Sequence, residues 1–312
     1  MNQPNLDKVR VMIAEGGTLR RQIKTVLLER GFAQLTEVKS AAEVEDAVRM
    51  NMVDLLIADN DLDQQMCDVV HDVRHFKLGV NPFLVVVMVA GNDSRDATMR
   101  IINAGADDLL IKPITIGRIT DRVMSLTQTR NKFIVTSDYI GPTRRTKARP
   151  EEAEAGVREI EVPNPVKDKA NGVKMAEIDA AIVEATRTVN LRKLERDAYQ
   201  VVWLTDKILP FYRASDADGE PDKAVIQLVN RLVAVSDEIG VRLKGTQFDY
   251  VGDLCGSLQT VASGIQASPL DPPKRELKLL PELANAVKVS LAGNPDEASV
   301  ARDIASTVSG AA

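Results

Sequence analysis

Short β-branched runs alternate with longer amphipathic segments over the first 130 residues. The runs that read as strands are 9–14, 35–39, 53–58, 83–89 and 108–111. Between them, segments such as 18–30 and 42–50 place apolar residues at helical spacing, on one face. The uninterrupted run LVVVMV at 84–89 predicts a central strand that is buried on both faces. This alternation predicts an α/β domain, a doubly wound five-stranded parallel sheet covered by helices.

The alternation stops near residue 130. Residues 131–172 contain a basic block, then the acidic block EEAEAGVREIE, then a segment with proline and glycine, VPNPVKDKANG. This composition is typical of a linker. From 173 to 312 only helical spacing is found. The pattern therefore predicts an α/β domain over 1–130, a linker over 131–172 and an all-α helical domain over 173–312.

The helical half carries two long apolar stripes, one over 191–209 and one over 225–243, which favour a helical bundle. Further helices are predicted at 246–265, 274–291 and 296–308. Because both stripes exceed what a small bundle easily buries, we expect this domain to self-associate as a homodimer. Four aromatic residues share one helix: Tyr199, Trp203, Phe211 and Tyr212. They either fill the bundle core or form a face for a partner.

Composition narrows the classes of protein. The chain has 312 residues, a net charge of −5 and 44% hydrophobic residues, which fits two soluble domains. Acidic residues outnumber basic ones in the helical half and no basic recognition helix is present, so DNA binding is not expected. No segment is apolar enough to span a membrane and the first residues lack a signal-peptide core, which favours a cytoplasmic location.

Histidine and cysteine usage limits the chemistry. The two histidines, His71 and His75, both lie in the first domain, so the helical half has no histidine for catalysis. The two cysteines, Cys67 and Cys255, lack neighbours that would form a zinc site, and we interpret them as reduced packing residues. No motif of a catalytic output domain is found. These features favour a protein that is not an enzyme.

Candidate functional groups follow the predicted strands. In parallel α/β sheets, ligands bind at the carboxyl ends of the strands. The residues found there are Ala14–Glu15, Asp59–Asn60–Asp61, Ala90–Gly91 and Lys112–Pro113. Carboxylates after two strands and a lysine after the last one indicate a site that combines anionic groups with one cation.

These positions resemble the receiver domain of bacterial two-component response regulators. The stretches that carry the resemblance are VRVMIAEGGTLRRQIKTVLLERGF, VDLLIADNDL and NAGADDLLIKPI, within residues 8–128. The resemblance implies a flavodoxin-like fold, Asp59 as the phosphoacceptor and Lys112 as the residue that contacts the phosphoryl oxygens. It also implies a Mg²⁺ ion held by acids that follow the first strand and by the phosphoacceptor.

The sequence departs from the family pattern at four places. Ala14 replaces one of the two acids after the first strand, and Ala90 replaces the hydroxyl residue after the fourth strand. Leu109 replaces the aromatic switch of the fifth strand, and Met66 replaces a small residue in the shortened loop after the phosphoacceptor.

These departures leave two interpretations of the acids. Glu15, Asp59 and Asp61 form a weak Mg²⁺ site, with Asp61 partly compensating for the lost acid. Alternatively, Asp59 is kept by inheritance of the fold and only forms a salt bridge with Lys112.

A basic cluster lies in the predicted linker. Arg144, Arg145, Lys147 and Arg149 place four positive charges together, which fits an anionic ligand such as a cyclic dinucleotide. The alternative is a solvated turn that pairs with Glu151, Glu152 and Glu154.

Taken with the resemblance, the pattern predicts an atypical receiver, or pseudo-receiver, that acts as a non-enzymatic signalling adaptor. Its expected partner is a sensor kinase or another signalling protein, bound through the helical domain. The alternative is a sensor of a nucleotide second messenger that binds through the arginine cluster. A catalytic output such as a phosphatase that acts on another regulator ranks third.

Overall fold

A computed structural model describes residues 5–91, 95–144, 158–214 and 223–292. The chain divides into two compact units, Met1–Val189 and Asn190–Ala312. Among the described residues, no helix is both long and apolar enough to cross a membrane.

The first unit is built on a parallel sheet of five strands in the order β2-β1-β3-β4-β5. The strands are β1 Arg10–Ala14, β2 Gln34–Val38, β3 Leu55–Asp59, β4 Val85–Ala90 and β5 Asp108–Ile111. The helices between and after them are α1 Gly17–Glu29, α2 Ala41–Arg49, α3 Met66–Arg74, α4 Arg95–Ala104 and α5 Ile116–Leu126. The predicted doubly wound sheet is confirmed, and the predicted strands match to within about two residues at each end.

Residue alternation within the strands explains the two layers of helices. In β4, Val85, Val87 and Val89 pack with α1 and α5, whereas Val86 and Met88 pack on the opposite face with α2, α3 and α4. Both faces are therefore apolar, which is why the sequence of this strand shows no polar positions.

Part of the predicted linker is packed against the first unit. Residues Phe133–Val135 and Ile140–Pro142 form an antiparallel hairpin, β6 and β7, and α6 spans Pro165–Ala170. Phe133 and Ile140 join a buried cluster with Phe83, at the start of β4. Where a free linker was predicted over 131–172, the described residues on either side of 145–157 belong to the first unit.

We call the described residues of 130–144 and 158–170 the extension. Arg130, its first residue, donates to the Pro163 carbonyl within the extension and is held by buried ion pairs at the amino-terminal edge of the sheet. The Arg130 guanidinium donates to both oxygens of Asp107, at 2.7 and 3.0 Å, and to the Phe83 carbonyl. Asp107 also accepts from Arg74, and the side chains of Arg74, Arg130 and Asp107 are at most 3% exposed. Composition suggested a solvated segment because charged side chains are usually exposed. The buried partners of these side chains are distant in the sequence, so composition could not reveal them.

The second unit is helical. Helix α7, Met175–Ala214, begins in the first unit, and α8 Lys223–Leu243, a short 3-10 helix at Asp249–Val251, α9 Gly252–Ala267 and α10 Lys274–Leu291 follow. One buried core draws side chains from α7, α8, α9 and α10. Most residues of the two predicted stripes lie in this core, so the unit itself covers them. The helix predicted at 296–308 lies outside the described residues.

A buried polar cluster interrupts this core. The Lys193 ammonium on α7 donates to Asp197 at 2.5 and 2.6 Å and lies 3.1 Å from Glu238 on α8. Burial raises the pKa of Asp197 to about 7, a shift that the Lys193 charge opposes and the Glu238 charge adds to. The cluster ties α7 to α8 through charged groups that must remain paired.

Candidate functional site at the carboxyl edge of the sheet

The predicted acids and the predicted lysine meet at the carboxyl edge of the parallel sheet. Glu15 follows β1, Asp59 is the last residue of β3, and Lys112 follows β5. Glu15 and Asp59 are both only 5% exposed. The central strands end beside one another, so their terminal side chains converge although they are far apart in the sequence.

Lys112 connects two of the carboxylates. Its ammonium donates to Asp59 Oδ2 at 2.7 Å and to Asp61 Oδ2 at 3.2 Å. Burial by itself lowers the pKa of Lys112, but hydrogen bonds and charges from Asp59 and Asp61 outweigh it and leave that pKa raised. The lysine therefore stays charged and is hydrogen-bonded to both acids.

Asp61 links the loops after β3 and β4. Its Oδ2 atom accepts from the Gly91 backbone N–H at 3.0 Å as well as from Lys112. The Asp61 backbone N–H in turn donates to Asp59 Oδ1 at 3.1 Å. One Asp61 oxygen thus accepts from a donor that follows β4 and from a donor that follows β5, and Lys112 donates to Asp59 as well. Sequence reasoning missed the Gly91 amide, because a backbone donor leaves no signal in residue type.

Glu15 lies deeper in the same site. Its Oε2 atom is buried and has no hydrogen-bond partner among the described residues. Burial raises the pKa of Glu15, and the nearby negative charge of Asp59 raises it further, against a backbone hydrogen bond from Arg20 that lowers it. Glu15 and Asp59 are therefore like charges held close together at low solvent exposure.

Of the acids expected to hold Mg²⁺, Glu15 and Asp59 lie near one another at the ends of β1 and β3. Among the described residues, no group of three acids, histidines or cysteines is placed to hold a metal ion. Ala14 offers no ligand, and Asp61 points to Gly91 and Lys112 rather than completing a set with Glu15 and Asp59. The Asp61 carboxylate, which was expected to compensate for Ala14, accepts from Lys112 and Gly91 in this structure.

Three of the positions that depart from the family pattern carry apolar side chains. Ala90 ends β4 and is buried, Leu109 lies on β5 and packs with the core, and Met66 opens α3 with no exposed surface. Neither Ala90 nor Leu109 has a group that could hydrogen-bond to an anion on Asp59. Of the four departures from the family pattern, Ala14 and Ala90 end β1 and β4 at the edge that carries the site, whereas Met66 and Leu109 pack with the core.

The predicted arginine cluster is placed elsewhere. Arg144 donates to the Ala106 carbonyl at 2.5 Å, just before β5 and hence at the opposite edge of the sheet. Arg145 and Arg149 lie outside the described residues. Since Arg144 is tied to backbone, its observed contact fits an anchor of the β6–β7 hairpin better than an anion-binding group.

Comparison with known proteins gives one family. Residues 11–124 match the response regulator receiver domain. No curated protein matches the chain.

Three solved structures are similar in part. An orphan response regulator of H. pylori is 21% identical over 38% of this chain and 95% of its own, with a TM-score of 0.32. A response regulator from Thermotoga maritima is 20% identical over 38% of this chain and 95% of its own, with a TM-score of 0.33. A response regulator in red light signaling of R. palustris is 19% identical over 38% of this chain and 90% of its own, with a TM-score of 0.31. Residues 11–124 of the chain are a response regulator receiver domain, the signalling domain of two-component systems.

Proposed function

We propose that the chain is a two-component signalling protein that works as a non-enzymatic adaptor. Its receiver domain is held in one state without phosphorylation, and its helical unit binds another signalling protein. The observation that carries this proposal is the position of Asp61, whose carboxylate accepts from both Lys112 and the Gly91 N–H.

Asp61 competes with a phosphoryl group for its donors. A phosphoryl group on Asp59 must be neutralised by cations and N–H donors within about 3 Å. Among the described residues, the Lys112 ammonium donates to Asp59, and the Asp61 carboxylate already engages both that ammonium and the Gly91 amide. Phosphorylation would therefore have to displace Asp61 before it gained any contact.

The charge balance of the site opposes phosphorylation as well. Glu15, Asp59 and Asp61 face one ammonium, that of Lys112, so the pocket is already acidic. A phosphoryl group adds about −1.5 to −2 charges. Without a complete metal site, the added charge is left with Lys112, which Asp59 and Asp61 already engage, and Arg20, which pairs with Glu37. This balance supports slow or absent modification of Asp59.

The pocket also lacks the groups that would transmit phosphorylation. A ligand shifts a conformational equilibrium only through contacts that differ between two states. The two positions at which the family pattern has such groups are Ala90, the last residue of β4, and Leu109 within β5, and both side chains are apolar. The receiver is therefore better suited to a fixed binding surface than to a switch.

The helical unit supports a protein partner rather than a chemical output. It contains no histidine to accept a phosphoryl group and carries more acidic than basic residues, which disfavours DNA. A sensor kinase or another signalling protein is the partner class that fits a receiver domain.

The proposal is tested by NMR with Mg²⁺ and beryllofluoride, which mimics a phosphoryl group on aspartate. Wild type and the Asp59→Asn variant should show equally small amide shifts over residues 105–125. Large shifts in the wild type that are absent in Asp59→Asn would show that the receiver switches, and the proposal would fail.

A further inference from the structure

Helix α7 exposes aromatic side chains within the helical unit. Tyr199 is 49% exposed, Trp203 53% and Phe211 38%, while Tyr212 packs against the core and donates its hydroxyl to the Pro269 carbonyl. The core-filling interpretation thus holds only for Tyr212. Trp and Tyr are enriched in protein interfaces, and large rings left at a surface mark such sites.

Cations from two helices lie on these rings. The Lys207 ammonium on α7 is 5.8 Å from the centre of the Trp203 ring, and the Lys288 ammonium on α10 is 4.9 Å from that of Tyr199. The Arg196 guanidinium lies 5.8 Å from the same tyrosine ring. We call these five residues the cationic face, because its rings carry positive charge from both helices.

The charge of the cationic face sets the chemistry of an occupant. Asp206, an exposed acid three residues after Trp203 on α7, offsets one of the three cations and leaves the face positive. A second copy of the same face would bring like charges together. The face therefore fits an acidic segment that also offers apolar side chains to the rings.

The end of α10 lies beside the cationic face. Tyr212, near the end of α7, donates to Pro269 just before α10, whereas Tyr199 contacts Lys288 near the end of α10. These two contacts show that α10 runs antiparallel to α7. Its last residue, Leu291, is about 4.5 Å along the helix beyond Lys288. The chain thus leaves α10 next to the cationic face.

The sequence that follows α10 is acidic and apolar on one side. Residues 293–312 lie outside the described residues, and they begin with Gly-Asn-Pro, a composition typical of a turn. Over 296–308, where spacing predicts a helix, acidic and apolar residues share one side, and these are Asp296, Glu297, Val300, Asp303, Ile304 and Val308. The single cation of this range, Arg302, falls on the opposite side. The segment 296–308 thus has the chemistry that the cationic face requires.

We infer that the segment 296–308 binds the cationic face of its own chain. The connection, residues 292–295, can span about 13 Å. Neighbouring helices in proteins have axes about 8–10 Å apart, so this connection is long enough to reverse the chain. The segment then runs back along α7, from Tyr199 towards Phe211.

Charges match along this path. Lys207 lies eight residues beyond the tyrosine that Lys288 contacts, which is about 12 Å along α7. Asp296 and Asp303 are seven residues apart, which is about 10 Å in a helix. One acid can therefore approach Lys288 while the other approaches Lys207, and Val300 lies between them, against the exposed indole ring.

The tether favours this segment over an acidic partner from another molecule. A segment joined by a short connection has an effective concentration on the order of millimolar. Even weak charge pairing and ring contacts therefore keep it bound to the face. An acidic protein in solution would have to displace it.

Trp203 is the single tryptophan of the chain, so its fluorescence reports on the cationic face directly. In the full chain, the triple variant Asp296→Lys, Glu297→Lys, Asp303→Lys should increase acrylamide quenching of Trp203 severalfold and shift its emission to longer wavelength. The matched control reverses three exposed acids outside the face and changes the net charge equally, as Asp179→Lys, Glu184→Lys, Asp253→Lys. It should be quenched as wild type is.

A charge swap identifies the pairing. Adding Lys207→Glu and Lys288→Glu to the variant with the reversed segment should restore wild-type quenching, because each new cation again meets an acid. Circular dichroism verifies that all variants fold. Equal quenching in wild type and the reversed variant overturns the inference, and so does an increase that the charge swap fails to reverse. Protection of Trp203 that vanishes on dilution of the wild type also overturns it, because binding within one chain does not depend on concentration.

Discussion

Replacing Asp61 by alanine should open the receiver pocket to phosphoryl mimics. The change removes the carboxylate that accepts from Lys112 and from the Gly91 N–H, so both donors become available to an anion on Asp59. It also removes one of three negative charges near the site. We therefore expect the variant to bind beryllofluoride more tightly than wild type.

The size of the effect follows from the geometry. An anion that shares the Lys112 ammonium with Asp61 would lie about 4 Å from that carboxylate, where two unit charges repel by ~1 kcal/mol in water and ~4 kcal/mol near a protein surface. The Asp61 side chain is 45% exposed, so screening favours the lower end. We therefore expect Asp61→Ala to gain about 1.4 kcal/mol in binding free energy, which corresponds to a ten-fold gain in affinity for beryllofluoride.

The assay is a titration with beryllofluoride and Mg²⁺, followed by fluorine NMR or by calorimetry. Asp68→Ala is the matched control, since Asp68 is an exposed acid in the first turn of α3 and its removal changes the net charge equally. The double variant Asp61→Ala, Asp59→Asn should bind as weakly as wild type. Equal affinity in wild type and Asp61→Ala would refute the argument that Asp61 occupies the pocket.

Three further predictions concern stability and the packed extension. Arg130→Ala should lower the free energy of unfolding of the first unit by about 3 kcal/mol in urea denaturation, because Asp107 loses one of two buried partners. The control Arg118→Ala, at an exposed site on α5, should change it by less than about 0.5 kcal/mol; equal effects would count against the buried ion pairs. The helical unit should lose stability as pH rises from about 4 to about 7. Burial raises the folded-state pKa of Asp197 to about 7, so the folded state binds more protons than the unfolded chain in that range. In Asp197→Asn, denaturation followed over this pH range should show a smaller slope, and an unchanged slope would exclude Asp197 as its source. Limited trypsin digestion should leave the Arg130 and Lys169 sites intact, since Arg130 pairs with Asp107 and the Lys169 ammonium donates to buried Asp54 at 2.8 Å; early cleavage at either site would show that the extension is loosely attached.

Local patterns predicted the fold of the receiver domain well. The alternation of β-branched runs with amphipathic segments reflects which residues are buried against the sheet. The five strands and the convergence of Asp59 with Lys112 followed from the rule that parallel strands end at one edge. The role of Asp61 did not follow, since it depends on the direction of one side chain and on the backbone N–H of Gly91.

The extension after α5 was harder to predict for a related reason. Arg130 and Lys169 belong to residue types that are usually solvated, and their partners Asp107 and Asp54 are 23 and 115 residues away. Composition therefore favoured a linker where the structure has a hairpin and a short helix. Exposure of Trp203 was likewise not fixed by spacing alone, which favoured the core and left a partner face as the alternative.

The measurement that tests the central claim most directly is the intact mass of the full chain after incubation with acetyl phosphate and Mg²⁺. If Asp61 fills the phosphoryl position and no complete metal site forms, wild type should remain essentially unmodified, as Asp59→Asn does, while Asp61→Ala should gain label on Asp59. Rapid addition of one phosphoryl group to the wild type, lost in Asp59→Asn, would contradict the account.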